Sequence, residues 1–84
     1  MKEILRKFLE ENFEKSITEL KVQNPMINSG FGGMVLYHHI LNLAKNCKAI
    51  ENKNNYKNFS LSDSNVDNVI DEVSDKILKK YIEL

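Results

Sequence analysis

The chain is 84 residues long, with 42% hydrophobic and 29% charged residues, and twelve basic residues balance twelve acidic ones. This length allows one small domain with a single core, and it excludes a doubly wound sheet or a barrel that encloses a substrate. The balanced charge argues against a nucleic-acid-binding protein, because such proteins carry a surplus of Lys and Arg.

The remaining global features concern compartment and membranes. A single cysteine, Cys47, excludes an intramolecular disulfide and a multi-cysteine zinc site. The longest apolar runs are four residues, such as 34–37, whereas about 20 are needed to span a bilayer. The first residues lack the apolar segment of a signal peptide. We therefore expect a cytoplasmic protein that does not contact membranes.

The first predicted helix covers about residues 2–21. Its apolar residues recur every three or four positions and so share one helix face; they are Ile4, Leu5, Phe8, Leu9, Phe13, Ile17 and Leu20. Pro25 ends this helix, since proline lacks the backbone donor and disfavours helical geometry at Asn24.

A glycine-containing loop follows, with Gly30, Gly32 and Gly33 ahead of the second helix. Glycines before a helix can bind phosphate through backbone N–H groups. Nucleotide-binding versions follow a strand and match G-x-x-x-x-G-K-[ST] or G-x-G-x-x-G. Neither pattern is present, so the segment is predicted to be a plain turn without a cofactor.

The second predicted helix covers about residues 33–50 and is the least charged of the three, so we expect it at the centre of the bundle. The apolar arc that we expect to face the core consists of Leu36, Tyr37, Ile40, Leu43, Ala44, Cys47 and Ile50. His38 and His39 are adjacent and therefore point about 100° apart, which prevents one metal from using both. No zinc ligand stands four residues from either histidine. The pattern predicts no metal site, and this helix contains no serine or carboxylate that would make His39 a catalytic base.

Residues 51–62 contain four asparagines and are predicted to form a long loop with room for one helical turn. The third predicted helix covers about residues 64–83, because 62–64 are all good N-cap residues. Its core stripe consists of Val66, Val69, Ile70, Val73, Ile77 and Tyr81. The sequence therefore predicts an all-α fold, a small bundle of three main helices in one domain over residues 1–84.

The start of the third helix resembles the first nine positions of a calcium-binding EF-hand loop, with oxygen donors at 63, 65, 67 and 71. Asn68 stands where that loop has glycine, and Ser74 stands where it has a bidentate glutamate. The apolar stripe also runs on through this segment. We therefore predict an acidic helix start and no metal site.

A candidate contact surface lies on the same helix. Asp67, Asp71 and Asp75 recur every four residues on one ridge, which continues into Leu78 and Ile82 about 100° away from the core stripe. Aliphatic anchors with an acidic border suit a partner helix or a second copy of the chain. Alternatively, the helix end simply exposes two aliphatic residues. Two residues from the predicted loops complete the predicted partner-binding set, namely Phe31 and Tyr56.

The absence of a catalytic set predicts a non-enzymatic protein that binds another protein. In size and helix content the chain is similar to small bacterial immunity proteins and phage-encoded inhibitors, a likeness of architecture alone. The many Lys, Asn and Ile residues indicate an AT-rich genome, and for so small a protein from such a genome we expect an inhibitor or regulator encoded by a phage or mobile element. Two alternatives remain open. One is a nucleic-acid-binding regulator that places Lys45 and Lys48 on phosphates, and the other is an enzyme in which folding brings His39 a distant partner.

Overall fold

The computed structural model describes residues 1–24 and 32–82, and these residues are helical apart from short turns, with no strand among them. The all-α class is confirmed. The elements in chain order are α1 (Lys2–Gln23), α2 (Gly32–Lys48), α3 (Ile50–Lys53), a 3-10 helix (Asn54–Phe59) and α4 (Asp63–Tyr81).

The predicted count of three main helices and the predicted long loop need correction. Most of the Asn-rich connection is helical, since α3 and the 3-10 helix fill residues 50–59. Tyr56 and Phe59 are three residues apart, which is one turn of a 3-10 helix, so this geometry turns both rings toward the core. Two apolar residues at that spacing give the connection a buried side, which a solvated loop would lack.

The chain reverses direction between the 3-10 helix and α4. Ser60 is the only non-glycine residue with a positive φ among the described residues, at 55°, and it ends the 3-10 helix. Ser62 then caps α4 by accepting a hydrogen bond from the backbone N–H of Asn65 at 3.2 Å. The predicted start of this helix among good N-cap residues is therefore confirmed. Of the predicted glycine loop, Gly32 and Gly33 belong to the first turn of α2, and residues 25–31 lie outside the described part.

The central helix is α4, so the prediction that the second helix is central was wrong. α4 packs extensively against both α1 and α2, which touch each other less. Low charge was a poor guide because the width of the buried arc decides how many neighbours a helix can have. α1 buries one narrow line of four residues, whereas α4 buries a broad arc: Val66, Val69, Ile70, Val73, Ser74 and Ile77.

Ion pairs show that α1 and α4 run parallel. Three pairs join residues that are all 66 positions apart, so the two helices keep one register along their contact. The pairs are Arg6–Glu72 at 2.7 Å, Glu10–Lys76 at 2.9 Å and Glu14–Lys80 at 2.9 Å.

α2 runs antiparallel to both neighbours. Ser16 in the second half of α1 hydrogen-bonds His39 in the first half of α2, with 2.9 Å between Oγ and Nε2. Lys48 at the end of α2 forms an ion pair with Asp71 near the middle of α4.

Some residues predicted to lie in core stripes are partly exposed. Phe8 is 42% exposed and Tyr37 is 43% exposed, while Ile50 at the end of the predicted second helix is 87% exposed. Phe8 contacts the ring of Phe59, with 5.6 Å between the centroids. The apolar arcs of α1 and α2 are broader than the surface their neighbours cover, so the edges of those arcs stay in solvent.

Candidate functional site

The two predicted contact residues from the connecting segments do not contribute to a described surface. Phe31 lies outside the described residues. Tyr56 is 6% exposed and belongs to the core. Burial, and then the hydrogen bond with the Cys47 thiol, raise the pKa of the Tyr56 phenol. Tyr56 therefore anchors the 3-10 helix in the core, which sequence reasoning missed because the segment was predicted to be a loop.

The acidic ridge of α4 is largely used within the chain. Asp67 forms an ion pair with Lys53, and Asp71 forms one with Lys48. Asp75 is exposed and takes part in no ion pair among the residues described. The ridge was predicted to border a contact surface for a partner, but the antiparallel α2 and the α3 segment place two lysines against it.

The two aliphatic residues beyond that ridge, Leu78 and Ile82, are half-buried and pack at the edge of the core. The Lys48–Asp71 ion pair shows which residues of α2 lie at the same height along the helices as Leu78 and Ile82. Because α2 and α4 are antiparallel, two turns back along α2 and two turns forward along α4 reach the same height. Leu41 of α2 therefore lies level with Leu78.

An exposed apolar stripe on α2 extends from the level of Leu78 to beyond the level of Ile82. Met34 is 65% exposed, Tyr37 43% and Leu41 38%, and their spacing of three and four residues places them on one side of the helix. We call the set Met34, Tyr37, Leu41, Leu78 and Ile82 the apolar patch. The α2 half of the patch was missed because Tyr37 was assigned to the core. The available signal was a second three-and-four stripe beside the one formed by Leu36 and Ile40.

Folding does bring His39 a distant partner, the hydroxyl of Ser16. A serine nucleophile needs a base that a third group orients, and space for a substrate beside the hydroxyl. Within residues 1–24 and 32–82 no carboxylate hydrogen-bonds His39. What the geometry supports for Ser16 and His39 is a hydrogen bond that ties α1 to α2.

A groove of about 310 Å³ runs between α1 and α4. Salt-bridged side chains line much of it, including Glu10, Glu14, Lys76 and Lys80. Partial burial opposes ionisation of Glu14, but hydrogen bonds from Lys80 and Tyr81 and the nearby positive charges outweigh it, so the pKa of Glu14 is lowered. The groove is thus a structural ion-pair network.

Metal and membrane chemistry were also considered. No group of three or more His, Cys, Asp or Glu side chains that could hold a metal ion occurs in the part of the chain that the structure describes. Residues 63–71, which resemble part of a calcium loop, lie in one uninterrupted α-helix. Among the described helices, none combines the length and the apolar character needed to cross a bilayer.

No protein-family model matches the chain, and neither a curated protein nor a solved structure was found to be similar to it. Function is therefore argued from the residues and their arrangement. Of the features described above, the ion pairs and the Ser16–His39 hydrogen bond are all satisfied within the chain. The apolar patch is not, and it differs from the exposed Phe8 and Ile50 in that three of its exposed side chains follow one side of a single helix.

Proposed function

We propose that the chain is a non-enzymatic protein-binding module and that the apolar patch is its contact surface. The supporting observation is the exposure of Met34, Tyr37 and Leu41 in one stripe beside Leu78 and Ile82. Fully burying one large apolar side chain is worth roughly 1.5–3 kcal/mol. Covering this patch would therefore supply a substantial part of a specific association.

The composition of the patch supports the same proposal. Tyrosine and methionine are enriched in protein–protein interfaces, and lysine and glutamate are depleted there. Methionine is also flexible enough to adapt to a partner's shape. The core does not need these side chains, because Leu36, Ile40 and Ala44 already form the buried face of α2.

The proposal extends to the setting. We propose that the protein acts in the cytoplasm as an inhibitor or regulator of a larger protein and is encoded by a phage or mobile element. Its mass of 9.8 kDa supports this, because so small a chain can act by covering a surface on something larger. Its richness in Lys, Asn and Ile, whose codons are AT-rich, is consistent with such an origin.

The nucleic-acid alternative has less support. It relied on the lysines of the second helix and the following segment, but Lys48 and Lys53 form ion pairs with Asp71 and Asp67. Phosphate binding would have to break those pairs. Binding to nonspecific DNA that weakens steeply with salt would favour this alternative.

The proposal is tested by capturing proteins from a lysate of the source organism on three forms of the chain: wild type, Leu41→Lys and Val22→Lys. Val22 is 75% exposed at the end of α1 and lies outside the patch, so it is the matched control. We expect the wild type and Val22→Lys to capture the same protein, and Leu41→Lys to lose it. Circular dichroism verifies that both variants are folded.

Two results would contradict the proposal. If all three forms capture the same proteins equally, the patch is not the contact surface. If no form captures any protein and the purified chain does not self-associate, it is not a protein-binding module.

A further inference from the structure

The apolar patch continues into charged residues on both helices. On α2, Lys45 lies one turn beyond Leu41 on the same side of the helix, and on α4, Asp75 lies one turn before Leu78. Lys45 and Asp75 are exposed, and neither takes part in an ion pair within residues 1–24 and 32–82. Next to the patch, α2 therefore carries a positive charge and α4 a negative one.

Two independent observations place Lys45 and Asp75 at the same height. The Lys48–Asp71 ion pair joins α2 to α4 directly. Three residues back along α2 from Lys48 is Lys45, and three residues forward along α4 from Asp71 is Ser74, so Lys45 lies level with Ser74. The second estimate uses α1. Ser16 of α1 hydrogen-bonds His39 of α2, and each residue of α1 lies level with the α4 residue that is 66 positions later. This estimate makes His39 level with 82 and Lys45 level with 76. Asp75 lies between the two results.

We propose that a second copy of this chain covers the apolar patch, with the two copies related by a twofold axis parallel to α2 and α4. The inference rests on the proposed function and names the partner of the same surface. Such an axis keeps every residue at its own height along the helices and places the α4 of one copy opposite the α2 of the other. Each α2 then packs against the α4 of the second copy.

Charge complementarity selects the second copy as the occupant. Under this symmetry Lys45 of each copy lies opposite Asp75 of the other, so two ion pairs form for each dimer. The apolar halves meet at the same time, because Leu41 and Leu78 are also level with each other. The four helices alternate in direction, as in an up-and-down four-helix bundle.

Sedimentation equilibrium over loading concentrations from about 20 µM to about 500 µM tests the proposal, since this range detects micromolar dimers. We expect the wild type to be a dimer and Leu41→Lys to be a monomer. Lys45→Asp and Asp75→Lys should each weaken the dimer about tenfold at low salt, because each places like charges opposite one another twice. Lys15→Asp, a reversal on an exposed site of α1, should leave the dimer unchanged.

An equimolar mixture of Lys45→Asp and Asp75→Lys provides the decisive measurement. In a heterodimer of these two variants both charge pairs are again opposite in sign, so association should recover to the wild-type level. A wild type that stays monomeric at about 500 µM would overturn the proposal, as that excludes dimers of useful affinity. So would reversals that act no differently from Lys15→Asp, or a mixture that does not recover.

The two proposals fail in distinguishable ways. If the wild type is monomeric but captures a lysate protein through Leu41, the second-copy proposal is wrong and the protein-binding proposal stands. If the wild type dimerises and the mixture of charge variants recovers association, the partner of the patch is the chain itself, and the patch is then not the surface that binds a larger protein.

Discussion

The two sides of α4 are built differently. Along the contact with α1, three ion pairs follow one another at intervals of four residues, from Arg6–Glu72 to Glu14–Lys80. Along the contact with α2, the Lys48–Asp71 pair covers only the end of α2, and the first half of that helix borders the apolar patch. Ion pairs at a surface contribute little energy but fix register. The α1 side is therefore complete within the chain, whereas the α2 side leaves apolar surface for a partner.

This comparison concerns the exposed edges of the two contacts. The prediction with the largest expected effect tests whether their buried parts are packed equally well. Ile17 on α1 is 1% exposed and Ile40 on α2 is 0% exposed. Ile17→Ala and Ile40→Ala should each reduce the free energy of unfolding by about 3 kcal/mol, because both remove the same atoms from a closed core. Urea denaturation at low protein concentration, where the chain is monomeric, measures both values.

The control is Ile50→Ala, which truncates the same residue type at a position that is 87% exposed and should change stability by less than about 0.5 kcal/mol. If Ile40→Ala cost much less than Ile17→Ala, the α2 contact would be loosely packed throughout. The patch would then reflect poor packing, not a separate binding surface.

A smaller effect tests how the 3-10 helix packs against the core. Burial and the Cys47 hydrogen bond raise the pKa of Tyr56 above its ordinary value of 10.0. The corresponding stability is complete below about pH 10 and is lost as the pH rises through the raised pKa, because the unfolded phenol ionises first. At about pH 11 the wild type should therefore lose about 1 kcal/mol that Tyr56→Phe does not lose.

Denaturation of both proteins at neutral and alkaline pH measures this difference. Tyr37→Phe removes a hydroxyl from a side chain that is 43% exposed, so it should keep the alkaline loss of the wild type. Equal alkaline loss in Tyr56→Phe and the wild type would show that the Tyr56 phenol is not buried in the core.

The burial of Tyr56 also shows which parts of the fold could be predicted from the sequence and which could not. The helical segments at 2–23 and 63–81 were predictable, since hydrophobic periodicity, Pro25 and the Ser62 cap are local signals. The helical turns over 50–59 were not, because their stability comes from burying Tyr56 and Phe59 against other elements. The central role of α4 likewise depends on tertiary packing.

The candidate site also has features that were predictable from the sequence and features that were not. The positions of Leu78 and Ile82 beside the core stripe of α4 followed from helix geometry. The pairing of Asp67 and Asp71 with Lys53 and Lys48 did not, because it depends on the antiparallel placement of α2 and α3. Without that placement, a sequence pattern cannot distinguish an acidic ridge facing solvent from one facing another helix.

The smallest expected effect concerns the ion pairs on the α1 side. Hydrogen bonds from Lys80 and Tyr81 lower the pKa of Glu14 despite partial burial, so the ionised carboxylate stabilises the fold above its ordinary pKa of 4.5 and this contribution is lost as the pH falls. Glu14→Gln should destabilise the chain by less than about 1 kcal/mol at neutral pH, and the difference should vanish near pH 3. Urea denaturation at both pH values tests this, with Glu11→Gln as the exposed control. A deficit that persists near pH 3 would assign the role of Glu14 to packing. The α1 side would then be held by its shape alone, and the contrast with the α2 side would no longer be one of charge.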